Sequence, residues 1–469
     1  MRKRGMLTSW LWNFEVPRCF RPSVEFAVQA PMQQQEKAEI ATQAPDLAST
    51  NEPLSWPITL LVRLRAFAAL EHREYRLLWY GQVFASMGTW MDQVTRGWLI
   101  YELTNSSLQL GLVRGIQAIP YLFLSPVAGS MADRYSRKFQ VVFSQFANGL
   151  LYAIMAVMIF SHTIRPWHVY VNAFLMAVVQ VFLQPSRAAM IADTVPRSKV
   201  TNAIGLNAVV FNMARSTGPA LSGLLISWFG TGFSYVVQAA FFLMATVWTV
   251  QLSSSRQRNS SANEDESNGH SLRDSIVDGW KFSWRKTEVR TGLLVTVSAS
   301  LFMLPFSTLL PVFARDVLVV GARGQGLLLT GMGLGALCSS LLIATIGDSL
   351  PRGLLMIGGA ALYGILVAIF SASPWFWASM VLMTIIGLCH VASQALVQTV
   401  VQTYSPPEFR GRTMSIYNMT QVVFLLGATV LGALAAMIGA AWATASMGIV
   451  GTVTMVAICV LIPAARKIR

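Results

Sequence analysis

Charge is what this chain of 469 residues has least of. Asp, Glu, Lys and Arg make up 12% of it, about half the share of an ordinary soluble domain. That excludes a globule with a wetted surface. Histidine is down to five residues and cysteine to four. Cys19 lies in the N-terminal stretch, and Cys338, Cys389 and Cys459 lie in three separate apolar runs. No disulfide framework and no metal site is expected from them. There is no Walker-type phosphate loop, so ATP hydrolysis is not the expected energy source, and no cofactor is expected. Apolar sequence takes the place of charge, at 54% of the chain.

Runs of about 20 mainly apolar residues, enough to cross a bilayer, recur near 75–101, 108–132, 139–161, 167–193, 200–228 and 232–252. Six more follow near 289–317, 321–346, 352–372, 375–404, 412–438 and 441–463. Counted from a cytoplasmic start, most Lys and Arg fall in tails and cytoplasmic loops, and of the external loops only two carry one, Arg165 and Arg323. This positive-inside asymmetry puts both termini in the cytoplasm. The net charge of +14 therefore speaks of orientation and anionic lipid, and no nucleic-acid partner is expected.

The second set of spans repeats the first. An offset of 215 places Gly326, Asp348 and Arg352 on Gly111, Asp133 and Arg137, and an offset of 210 places Pro406 on Pro196. At 209, Gly427, Gly432 and Gly439 fall on Gly218, Gly223 and Gly230. The expected fold is an all-α integral membrane protein of twelve transmembrane helices in two pseudo-symmetric six-helix halves, 73–252 and 289–463. Duplicated halves of this kind build secondary transporters, with the substrate site between them. The remaining segments are a polar, disordered cytoplasmic tail over 1–72, a linker over 253–288 and a basic tail over 464–469. Leu60–Phe67 suits a surface helix before the first span; a start codon further downstream is the other account of the extension. Glu264-Asp265-Glu266 marks the linker as flexible, and Ser271–Lys286, with Trp280, Phe282 and Trp284 among charges, suits an interfacial helix.

The loop after the second span, Gly129-Ser130-Met131-Ala132-Asp133-Arg134-Tyr135-Ser136-Arg137-Lys138, resembles the loop motif of the major facilitator superfamily, with Ser136 where many members carry a second glycine. The second copy, Gly347-Asp348-Ser349-Leu350-Pro351-Arg352, is degenerate. Other stretches resemble an efflux branch that includes enterobactin exporters and macrolide efflux proteins: Leu78–Gln82 with Gly88–Met91, Pro185-Ser186-Arg187 ahead of Asp193–Pro196, Asn212–Pro219, Asp278–Trp280 and Phe409–Arg412. The resemblance covers about 72–463 and implies a twelve-helix facilitator working by alternating access and proton antiport. It also implies a conformational latch at the cytoplasmic face made of Gly129, Asp133, Arg134, Arg137, Lys138, Arg187, Asp193, Asp348 and Arg352. Gly218, Pro219 and Gly223 resemble the fifth-span motif of exporting antiporters, although Ala214 and Ser222 replace glycines of fuller versions. A kinked packing helix explains the same residues, since proline removes a hydrogen bond and glycine admits a neighbouring helix.

Each ionisable group inside the membrane needs a reason, because an arginine at bilayer centre costs at least about 2.5 kcal/mol on insertion scales. Arg215 stands fifteen residues into the fifth span, near mid-depth, either as a positive centre for substrate or as a structural residue beside Pro219. Asp92 and Arg96 are one turn apart in the outer half of the first span, with Arg114 entering from the second. They read as an outer ion cluster, or Asp92 reads as the proton carrier of an antiporter, against which two flanking arginines would work by holding it charged. At offset 210, Gln180 matches His390 and Gln184 matches Gln394, with Gln398 extending the second stripe. These groups either bind substrate or bond helix to helix. Histidine is also the side chain that titrates near neutral pH.

The function these residues point to is a non-enzymatic transporter, a monomer exporting a small amphipathic organic compound, drug-like or siderophore-like, across a bacterial cytoplasmic membrane. The arginine excess leans toward neutral or anionic substrates. An importer of the same fold, or a sensor or scaffold working through its polar tail, are the rival expectations.

Overall fold

The computed structural model describes residues 65–134, 136–253, 272–346 and 351–468. Most of the expected tail, the Glu264–Glu266 stretch and Asp348 lie outside the described residues. Within them all regular structure is helical. The helices in chain order are α1 (Arg73–Thr104), α2 (Ser107–Arg134), α3 (Arg137–Phe160), α4 (Pro166–Asp193) and α5 (Val200–Val250). After the linker come α6 (Leu272–Arg285), α7 (Thr287–Ser298), α8 (Gly321–Ile346), α9 (Arg352–Ser371) and α10 (Phe376–Thr403). The last three are α11 (Pro407–Asn418), α12 (Thr420–Ile438) and α13 (Ala440–Leu461).

Among the described residues, nine helical stretches are long and apolar enough to cross a membrane. The difference from twelve has local causes. The helix α1, at 32 residues, is long enough, but polar and charged residues such as Asp92 and Arg96 dilute its apolar content, and α2, at 28 residues, falls only in part among the residues whose side chains are described. The stretch Arg197–Val250 counts once although the chain turns within it. Gly230 there has φ +83°, a backbone that glycine adopts without strain. Ser222 and Ser234 stand twelve residues apart, about 18 Å along a straight helix, yet their hydroxyls are 3.2 Å apart. The two arms of α5, 200–229 and 231–250, therefore fold back on each other at Gly230, between the spans expected at 200–228 and 232–252.

The span expected over 289–317 is not a continuous α-helix. After Ser298 it passes through a π turn (Ala299–Met303), a 3-10 stretch (Leu304–Leu309) and a second π turn (Phe313–Val317). Pro305 and Pro311 supply the reason, since neither can donate the backbone hydrogen bond an α-helix needs.

Outward faces carry large apolar side chains. Phe139, Phe143, Phe146, Leu150 and Val157 are all exposed along α3, an apolar stripe suited to lipid on a helix long and apolar enough to cross a membrane. The protein is an integral membrane protein. At the expected interfacial helix, α6, Trp280 and Trp284 stack 5.9 Å apart and stay exposed, while Phe282 stacks on Phe409 of α11 at 4.7 Å.

Glycines set the closest helix approaches. A Cβ at Gly223 would lie 3.1 Å from Gly326 Cα, packing α5 on α8, and one at Gly432 would lie 2.7 Å from Gly111 Cα, packing α12 on α2. Gly111 repeats as Gly326 and Gly223 repeats as Gly432, so each contact joins a position of one copy to the opposite position of the other.

Candidate functional site

Charged groups within the helices form two separate clusters. In the first, Arg96 Nη2 lies 2.6 Å from Asp92 Oδ2, with side chains 3% and 13% exposed. One helical turn on α1 brings the two into register. Arg96 also reaches Met176 Sδ of α4 at 2.9 Å and stands within electrostatic reach of the buried Tyr152 and Tyr235. Arg114 stands within electrostatic reach of the carboxylate and donates its hydrogen bond to Gln117 Oε1 on its own helix, at 3.3 Å. A narrow cleft lined by Gln93, Arg96, Gly97, Arg114, Thr308 and Pro311 separates it from the irregular stretch after α7. Below the ion pair a buried polar network ties α1 to both arms of α5. Thr95 Oγ1 meets Ser222 Oγ at 2.7 Å and Ser234 Oγ at 2.8 Å, and accepts from Gln238 Nε2 at 2.8 Å.

The second cluster joins residues that the sequence leaves far apart. Arg215 Nη2 of α5 lies 3.4 Å from His390 Nδ1 of α10. A guanidinium only donates, so Nδ1 presents its lone pair and the ring proton sits on Nε2. The Arg215 guanidinium also lies 5.6 Å from the centre of the Trp90 ring, in cation–π range, and Trp90 meets Phe211 edge to face at 5.3 Å. Behind the histidine, the Tyr363 ring of α9 lies 5.3 Å away. No carboxylate contacts Arg215 among the described residues.

The polar stripes of α4 and α10 occupy matching faces. Trp167, Val171 and Leu175 of α4 are exposed, as are Trp377, Val381 and Ile385 of α10, each shifted by the same 210 residues. Gln184 and Gln394 are exposed too, but nine residues past Leu175 and Ile385 turn them about 180° round their helices. Their faces are therefore opposite the lipid-facing ones. Gln180 lies one turn before Gln184, with a buried Oε1 that has no partner.

At the expected latch, Arg137 Nη1 binds Asp193 Oδ2 at 2.7 Å, joining α3 to α4, and Lys138 donates to the Leu252 carbonyl. Ser136 caps α3, its hydroxyl accepting from the Phe139 N–H at 3.4 Å, a role serine fills well. Arg187 donates to Gln184 of its own helix at 3.2 Å, and among the described residues it is in no ion pair. Gly129, Asp133 and Arg134 fall on the last turns of α2, with the Asp133 and Arg134 side chains outside the described residues. Arg352 opens α9.

Gly218, Pro219 and Gly223 are occupied with packing. A Cβ at Gly218 would lie 2.8 Å from Trp90 Cβ, and the Pro219 carbonyl abuts Gly326. Sequence reasoning met Trp90 only within the Gly88–Met91 resemblance and gave it no role, and it missed Tyr363 and the Thr95 network, which lack any local signal. It also missed the hydrogen bond from Tyr101, ending α1, to Asp316, beyond α7, with Arg315 5.2 Å over the Tyr101 ring. Their separation of 215 residues is the repeat offset itself, a signal that was in the sequence.

The fold is that of a polytopic helical transporter. The bacterial homologue of the human lysosomal transporter Spinster, solved inward-facing and unoccupied, superposes with a TM-score of 0.64 at 13% identity, over 84% of this chain and 96% of that one. Residues 64–467 match the family described as transmembrane secretion effector, and the chain belongs to that family of major facilitator transporters. Its sequence is 24% identical over 375 residues to the staphyloferrin A transporter of Staphylococcus aureus, covering 77% of this chain and 90% of that one. It is 23% identical over 357 residues to the multidrug efflux pump Tap of Mycobacterium tuberculosis, covering 75% and 84%.

Proposed function

We propose that this chain is a secondary active exporter of a small amphipathic organic compound, working by proton antiport and alternating access between two six-helix halves. The observation that carries the reading is the pair of polar stripes on α4 and α10. Gln180, Gln184, His390 and Gln394 repeat at one offset and share faces turned from lipid, as a substrate path between duplicated halves requires. Arg215 and His390 bridge the halves within it. The crossed glycine contacts, Gly223 with Gly326 and Gly111 with Gly432, suit a pseudo-two-fold axis between six-helix units of twelve crossings in all.

Asp92, with Arg96 and Arg114 beside it, is the coupling carboxylate in this reading, and substrate or conformational change pulls the pair apart. The Tyr101–Asp316 contact closes the outer end of the path, so the conformation corresponds to an inward-facing state. Arg137 and Asp193, with Asp133 and Asp348 of the two loop copies, make up the cytoplasmic latch. The protein sits as a monomer in a bacterial cytoplasmic membrane with both termini inside, in contact with anionic lipid. A siderophore transporter and a multidrug pump among its relatives support a siderophore-like or drug-like substrate.

The test is accumulation of macrolides, hydrophobic dyes and a catecholate siderophore in an efflux-deficient host expressing the chain, with and without a protonophore. Lowered accumulation that the protonophore restores is expected. Unchanged accumulation across the panel, with folded protein in the membrane, contradicts export.

A further inference from the structure

The group around Arg215 consists of donors that lack acceptors. Among the described residues Arg215 has one hydrogen-bond contact, the His390 Nδ1 atom, which leaves its other N–H groups open. The buried Tyr363 hydroxyl has no hydrogen-bond partner and lies within electrostatic reach of Arg215. The buried Trp90 Nε1–H, on the ring that faces the guanidinium, is also unpartnered, and an indole nitrogen can only donate. The proton on His390 Nε2 adds another donor. Buried donors in native proteins are normally satisfied, so this grouping calls for something that accepts.

Charge points the same way. Within α1–α5, away from the helix ends, the described residues hold Arg96, Arg114, Arg187 and Arg215 against a single carboxylate, Asp92, which Arg96 already engages. A planar guanidinium suits an oxyanion with two oxygens. The wall beside it is apolar, with Trp90 and Phe211 in edge-to-face contact and Phe211 exposed.

We infer that the transported compound is an organic monoanion, a carboxylate on an aromatic or otherwise apolar body. Its carboxylate sits on Arg215, with Tyr363 and His390 donating from the side, and its body lies along Trp90 and Phe211. This rests on the transport reading above and adds the charge of the substrate to it.

Three probes sharing a pyrene body separate the cases: pyrenebutanoate, its primary amide and the corresponding butylamine. Their uptake into everted vesicles holding the full chain is followed by fluorescence under an imposed proton gradient. Wild type is expected to favour the carboxylate over the amide by about tenfold or more, since a charge-assisted bidentate contact is lost with the amide. Arg215→Gln should bring the carboxylate down to the level of the amide, Arg215→Lys should keep part of the preference, and Tyr363→Phe should weaken it. The wild-type comparison stands even where a variant fails to fold. Equal or better uptake of amide or amine overturns the anion assignment and leaves the transport reading intact. No gradient-dependent uptake of any probe, with folded protein in the vesicles, counts against both.

Discussion

Arg96 and Arg215 lie within the helices of the same membrane protein, and their surroundings differ. Arg96 has its counter-ion, Asp92, one turn away on its own helix, and Met176 and two buried tyrosines of other helices stand around it. Arg215 faces a helix 175 residues further on and meets an imidazole and an indole ring, with no carboxylate. A buried charge with its counter-ion is part of the structure, and removing one partner leaves the other stranded. A buried charge without one is costly to hold empty and gains most when a ligand arrives. On this contrast we propose a structural role for the first arginine and a binding role for the second.

The largest effect should come from breaking the paired site. Arg96→Gln leaves the buried Asp92 carboxylate without its ion-pair partner, an expected loss of about 3–5 kcal/mol, read as a drop in thermal midpoint of the purified protein. The double variant Asp92→Asn with Arg96→Gln should regain much of that stability while lacking proton-driven transport. Recovery of transport in the double variant would remove Asp92 from the coupling role.

Next in size is the glycine packing of α5, the helix of Arg215, on α8. Gly326→Val pushes a side chain into the Pro219 carbonyl and Gly223, and overpacking of this kind costs about 1–3 kcal/mol. Transport should fall with it, and Gly432→Val should behave alike if the two contacts are equivalent. Smaller still is Tyr101→Phe, which deletes the hydrogen bond to Asp316 for about 0.5–1.5 kcal/mol and should raise labelling of a cysteine at Gly97 from the outside. The smallest effect is expected for the half-exposed Arg137–Asp193 pair, where Arg137→Gln should cost no more than about 1 kcal/mol while slowing turnover if the latch reading holds.

Much of this was legible in the sequence because helix repeats and membrane charges leave one-dimensional traces. The apolar runs located the helices, and the Gly230 break fell between two expected spans. The offset of 210 paired Gln180 with His390 and Gln184 with Gln394, and the exposure of α4 and α10 repeats with it. Asp92 and Arg96, one turn apart on one helix, were legible as a pair. Arg215 and His390 were each singled out, but nothing local connects a residue of α5 with one of α10. Trp90 stood out only as part of the Gly88–Met91 stretch, and Tyr363 looked like any other aromatic residue in an apolar span. The broken helix after α7 was signalled by Pro305 and Pro311, whose effect on pitch depends on how neighbours take up the freed carbonyls.

The most direct test of the contrast is to measure thermal midpoint and gradient-driven transport on the same preparations of Arg96→Gln and Arg215→Gln. The account predicts that Arg96→Gln loses several degrees of thermal stability, whereas Arg215→Gln stays within a degree or two of wild type and loses transport. An Arg215→Gln protein that transports as wild type does, or that unfolds as readily as Arg96→Gln, would contradict it.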